Sequence, residues 1–186
     1  MLATTKAIKV VNQLRDEGII SRYAIGGAVG AVFYIEPIQT QDLDIFIYLE
    51  PPPGKFLVTT EPITERLKKM GYTLWKEDKL IVENWPIQFI PASKTIEREA
   101  IDHAVEKLVS DGVKAFVPPP EYLILMAVDL SRPKDIIRVQ QFHYERVYDP
   151  QRLKALLAKH GLTAKWERIL ALFKVQEDAY GFKLEK

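Results

Sequence analysis

Hydrophobic and polar positions along this chain follow two periods, and their order divides it into two parts. In the first part, strand-like apolar runs alternate with helix-spaced segments. Val10, Val11, Leu14, Ile19 and Ile20 are roughly helically spaced, with Thr4 or Thr5 available as a cap and Gly18 marking the end. Tyr23-Ala24-Ile25 reads as a short strand running into Gly26-Gly27, and Ala28 to Tyr34 as a compact helix. Leu43 to Leu49 is apolar on both faces and rich in Ile, Phe and Tyr, the pattern of a buried central strand. Pro51-Pro52-Pro53-Gly54 stops it. Thr60 and Pro62 open a second amphipathic helix that reaches Met70, with Gly71 as its cap. Thr73 to Lys76, Lys79 to Val82 and Ile87 to Ile90 read as strands, broken at Glu77-Asp78 and Asn84-Trp85-Pro86. Thr95 to Val109 is predicted helical, ended by Gly112, and Val113 to Val117 reads as one more strand.

After Pro118-Pro119-Pro120 the period is helical almost to the end. Helices are predicted near Glu121 to Leu130, Pro133 to Val147, Pro150 to Lys159 and Ala164 to Tyr180. The fold class is therefore α/β (α+β). A small mixed β-sheet with flanking helices over residues 1–119 is followed by a C-terminal helical region, 120–186, packed on it.

Composition changes this picture only by exclusion. A chain of 186 residues is long enough to bury a real core. It has no cysteine, so disulfide frameworks, thiolate zinc sites and cysteine nucleophiles are ruled out. Net charge is +1, divided as −2 over residues 1–119 and +3 over 120–186. That asymmetry hints at an anionic partner for the C-terminal part, and a solvated helical surface explains it equally well. Met1 to Ile20 carries Lys6, Lys9, Arg15, Asp16 and Glu17, which suits neither a signal peptide nor a membrane span. A cytoplasmic location with no membrane association is the default expectation.

The candidate chemistry lies at the start of the central strand. Side chains at i and i+2 on a strand point the same way, so Asp42 and Asp44 share a face, with Cα atoms roughly 6.5 Å apart. Carboxylates so spaced can hold Mg²⁺, which prefers hard oxygen ligands. Taken alone, the pair also fits two solvated strand-end aspartates. Gly26-Gly27 adds to it. Glycines between a strand and a helix admit a ligand close to the backbone and leave free N–H groups that attract phosphate. A tight turn is the simpler reading of the glycines by themselves. Strand, Gly-Gly, short helix, turn and Asp-Leu-Asp in that order put a phosphate cradle beside a divalent-metal site.

With Ile25-Gly26-Gly27 and Thr40-Gln41-Asp42-Leu43-Asp44-Ile45, the chain resembles the nucleotidyltransferase superfamily, the polymerase-beta-like fold. Thr40-x-Asp42-Leu43-Asp44 looks most like its bacterial branch of minimal nucleotidyltransferases and abortive-infection toxins. Arg132-Pro133-Lys134-Asp135-x-x-Arg138 resembles a segment found after the sheet in that branch. The resemblance spans roughly residues 5–145. It implies transfer of a nucleoside monophosphate from a nucleoside triphosphate (NTP) to an acceptor hydroxyl, with Mg²⁺ or Mn²⁺ as cofactor. Asp42 and Asp44 would be catalytic and hold metal. Gly26, Gly27 and Thr40 would bind phosphate, Lys134 would contact a phosphate as a point charge, and Asp135 would orient it. The acceptor would be an RNA end (tRNA-like), a protein hydroxyl or a small molecule, and a cognate antitoxin or toxin could be a partner. A tRNA-like acceptor would dock on the helical tail, at Arg138, Arg146, Arg152 and Lys154.

One position departs from that pattern. A third carboxylate is expected on a later strand, and the matching polar residue of Ile87-Gln88-Phe89-Ile90 is Gln88. An amide oxygen can ligate a cation but takes no proton at neutral pH. Glu83, Glu77 or Asp78 could substitute. The readings carried forward are an active nucleotidyltransferase, a catalytically impaired nucleotide-binding or regulatory module, and an interaction protein whose acidic pair is structural.

Overall fold

The computed structural model describes residues 3–37, 40, 42–49 and 59–180, the last six by backbone alone. The prolines expected to stop the central strand lie outside the described residues. Helix α1 (Ala3–Asp16) buries Ala7, Ile8, Val11 and Leu14, and Gly18 follows it at φ 72°. β1 (Tyr23–Ile25) leads into α2 (Gly27–Ala31), which is shorter than the Ala28–Tyr34 helix expected: turns take over after Ala31. β2 (Leu43–Ile47) follows, then α3 (Glu61–Lys69), whose Ile63 and Leu67 are buried.

The sheet continues with β3 (Trp75–Lys76), β4 (Lys79–Val82) and β5 (Trp85–Pro91). Its five strands run in the order β1-β2-β5-β4-β3. β2 and β5 are parallel, and the other neighbours are antiparallel. β2 thus has a strand on each side. Leu43, Ile45 and Ile47, on one face, have no exposed surface.

Asn84-Trp85-Pro86 does not break the strand as expected. The turn is Glu83-Asn84, with φ 52° and 64°, and Trp85 and Pro86 belong to β5. Positive φ at both central residues suits a tight hairpin turn between twisted strands. Pro86 lacks a backbone donor, and its register partner Ile81 donates its own N–H to Leu74 O on the far side at 2.8 Å. No ladder bond is therefore lost at the proline.

The helix expected from Thr95 to Val109 is half right. α4 (Thr95–Asp102) ends at His103, and β6 (Val105–Ser110) pairs with β7 (Val113–Val117) as a separate two-stranded sheet. Asp111 and Gly112, at φ 51° and 76°, form the turn. Asp-Gly between runs containing Val and Phe is a hairpin signal and not a helix stop. The hairpin is tied to α1 by Thr5 Oγ1–Ser110 Oγ at 3.0 Å and by Asn12 Nδ2 donating to Lys114 O at 2.8 Å.

Four helices follow: α5 (Pro120–Leu130), α6 (Pro133–Glu145), α7 (Pro150–Lys159) and α8 (Thr163–Tyr180). α5 is apolar around its circumference and buries every residue from Glu121 to Val128. A helix apolar all round must be surrounded. α5 contacts α2 and α4 on the sheet side and α6, α7 and α8 on the other.

Candidate functional site

Asp42 immediately precedes β2, and Asp44 sits within it, opposite Gln88 of β5 in the parallel register. The strand's two-residue period puts both carboxylates on the face away from Leu43 and Ile45. Thr40, expected to bind phosphate, donates its hydroxyl to Asp42 O at 3.1 Å and braces the chain where it enters β2.

The glycines beside the pair have steric reasons. Gly26 donates its N–H to Asp44 O at 3.0 Å, and a Cβ on it would lie 2.3 Å from the Phe46 ring. A Cβ on Gly27, at φ 59°, would lie 2.2 Å from Asp44 Oδ2. Asp44 therefore occupies space that only glycine leaves open. A third glycine, missed in the sequence reading, completes the bend: a Cβ on Gly30 would lie 2.4 Å from Ile25 O. The spacing Gly26-Gly27-x-x-Gly30 was visible, but its cause is the strand carbonyl it faces.

Burial pushes the Asp44 carboxyl above its ordinary value of 3.8, and the negative charge of Asp42 pushes it further. Lys134, Arg138 and Arg132 act in the opposite direction. The fold thus brings the Arg132–Arg138 segment, nearly ninety residues away in sequence, to the acidic pair. Asp135 is fully buried. It accepts from Arg132 N at 3.2 Å, Arg132 Nε at 2.7 Å and Arg138 Nη1 at 3.3 Å. It therefore caps α6 and positions two arginines, in place of the expected alignment of Lys134. Lys134 is exposed at the first turn of α6. Arg138, expected at a docking surface for RNA, has a side chain only 11% exposed and is held within this network.

Among the described residues, no third carboxylate joins the pair. Among the described residues, no three His, Asp or Glu side chains form a group that could hold a metal ion. Gln88 donates through Nε2 to Asp78 Oδ2 at 2.6 Å, so Asp78 sits on the outer side of Gln88 from Asp44. Glu83, in the turn before β5, accepts from Tyr72 OH at 2.6 Å. Asp44 pairs with Gln88, and Trp85 to Gln88 alone spans roughly 10 Å of strand, so Glu83 stands well away from Asp44.

The sequence reading also missed Lys79. Its ammonium lies 3.1 Å from Asp42 Oδ2. A lysine beginning a short strand carries no signal of its own, and the contact exists only because β4, β5 and β2 lie side by side. Away from this cluster, a cavity of about 390 Å³ between α6, α7 and α8 is lined by His143, Tyr148, Leu157 and Trp166.

Within the described residues, no helix is long and apolar enough to cross a membrane. No protein-family profile matches the chain, and no curated protein sequence matches it. A solved structure does. An antigenic nucleotidyltransferase-like protein from Paracoccidioides brasiliensis aligns over 90% of this chain and 91% of its own, with a TM-score of 0.52 and 18% identity. The chain has a nucleotidyltransferase-like fold.

Proposed function

We propose that the chain binds a nucleoside triphosphate with Mg²⁺ and transfers its nucleoside monophosphate to an acceptor hydroxyl. The observation that carries this reading is the convergence at one face of the sheet. Asp44 stands beside Gly27 and within the charge of Asp42, and Lys134, Arg138 and Arg132 bear on it from the start of α6. The donor set fits a divalent cation: two hard carboxylates, one of them raised in proton affinity by burial and by the other's charge. Asp42 and Asp44 would hold Mg²⁺, which supplies neutralisation of triphosphate charge. Lys134 and the paired arginines supply fixed positive charge for phosphate, and Asp135 keeps both arginines oriented. Phosphoryl chemistry of this kind relies mainly on positioning and charge.

Gln88 supports a second reading, a site that binds nucleotide without turnover. It pairs with Asp44 where the resemblance calls for a third acid, and an amide cannot serve as a base. The likeness of Thr40-x-Asp42-Leu43-Asp44 to toxin-type nucleotidyltransferases is the support for a cognate protein partner. Arg146, Arg152 and Lys154 on the helical region are the support for an RNA acceptor.

The test is titration of ATP, GTP, CTP and UTP with Mg²⁺ against the wild type and Asp42→Asn/Asp44→Asn. Mg²⁺-dependent binding of at least one nucleotide, lost in the double variant, is the expected result. Equal behaviour of the two proteins would sink both readings. Pyrophosphate release with bulk tRNA present then separates transfer from binding alone.

A further inference from the structure

The acidic pair already has a cation of the chain's own. Lys79 Nζ lies 3.1 Å from Asp42 Oδ2, with the two side chains only 20% and 25% exposed. The sheet places it there. Leu80 of β4 pairs with Ile87 of β5, so Lys79 extends the register towards Gln88, and Gln88 pairs with Asp44 of β2. Lys79, Gln88 and Asp44 thus form one row across three strands. At the middle of the row, the Gln88 amide nitrogen is turned outward to Asp78 and adds no negative charge.

We propose that Lys79 is a resident cation of the acidic site, holding Asp42 in the nucleotide-free protein and giving way only to a divalent ion that arrives with a triphosphate. The inference rests on reading Asp42 and Asp44 as the metal-binding pair. With a third acid in the row, two carboxylates would face a free ion even after Lys79 had claimed one. With Gln88 there, Asp44 is the member of the pair left uncommitted, and Lys134, Arg138 and Arg132 oppose its charge. The free protein therefore binds divalent metal poorly. The triphosphate brings extra oxygen ligands with its metal, and the released ammonium becomes a point charge for those phosphates. Metal and nucleotide bind as a unit, and Lys79 sets that order.

The experiment is Mn²⁺ titration of the nucleotide-free full chain, followed by the electron paramagnetic resonance signal of free Mn²⁺. Lys79→Met and Lys79→Gln are both expected to bind Mn²⁺ roughly tenfold tighter than the wild type, the scale of one lost charge contact near a surface. Lys79→Arg, which keeps the charge, is expected to stay at the wild-type affinity. Adding Asp42→Asn to Lys79→Met is expected to abolish the gain. Two differently shaped neutral variants guard against one that fails to fold. Equal Mn²⁺ affinity in the wild type and the neutral variants, or a gain in Lys79→Arg as large as in Lys79→Met, overturns the proposal. So does the absence of Mn²⁺ binding in every variant. Each of these results leaves the nucleotide reading standing if wild-type protein still binds Mg²⁺-nucleotide and Asp42→Asn/Asp44→Asn does not. Failure of that nucleotide arm is the separate sign that the reading beneath the proposal has fallen.

Discussion

Asp44 is where local sterics and electrostatics pull in different directions. Gly27 leaves room for its carboxylate, while burial and the neighbouring Asp42 make ionising it unfavourable. Its native proton affinity is raised above the ordinary 3.8. A raised carboxyl stabilises the fold where it is protonated, below its unfolded value, and that contribution is lost as pH rises through the native value. Asp44→Asn removes the ionisation. The variant is expected to melt above the wild type at pH 7, with the difference shrinking towards zero as pH falls below the ordinary value. Thermal melts of both proteins across pH 3 to 8 check this. A variant less stable than the wild type at neutral pH would show that the cations of α6 already outweigh burial. The same site shows what single residues conceal. Asp-x-Asp and Gly-Gly were legible because spacing along a strand and around a turn fixes which atoms can meet. Lys79 was not, because nothing within ten residues of it announces Asp42.

At the scale of elements, the first turn of α6 links stability to the site. Asp135 is fully buried and accepts from the Arg132 backbone, the Arg132 guanidinium and the Arg138 guanidinium. The Arg132 side chain is 49% exposed and Arg138 only 11%, so most of the cost of breaking the group falls on Arg138. Asp135→Ala is expected to lower stability by about 2–3 kcal/mol, less than a fully buried pair because solvent screens Arg132. Urea unfolding measures it. A loss below ~0.5 kcal/mol would mean that the network contributes no more than an exposed ion pair. The misread segment after α4 belongs to the same scale. Residues 95–109 match a helical spacing, yet Asp111-Gly112 allows residues 105–117 to close as a hairpin on α1. Short apolar runs do not discriminate the two periods, and the docking surface on α1 makes the choice.

At the scale of the whole molecule, α5 is the keel. Its residues from Glu121 to Val128 are buried between the sheet-side helices and α6 to α8. The two regions divided at Pro118-Pro119-Pro120 in the sequence therefore share one apolar interface. They are expected to unfold together. Tryptophan fluorescence, with Trp75 and Trp85 in the sheet and Trp166 in α8, should give the same urea midpoint as far-UV circular dichroism. Two separated midpoints would show that the regions fold independently.

The amino-acid sequence by itself determined the acidic strand, its glycine turn and the order of sheet before helices. Each depends on contacts between near neighbours, where backbone geometry leaves few alternatives. Only the tertiary structure decided what surrounds the acidic pair. It set Lys79 on Asp42, turned Gln88 to Asp78, tied Glu83 to Tyr72 in the turn before β5 and brought Arg132, Lys134 and Arg138 to Asp44. Those meetings depend on strand register and helix docking, which are settled by burial of the whole core and leave no mark in the spacing of the residues that finally touch.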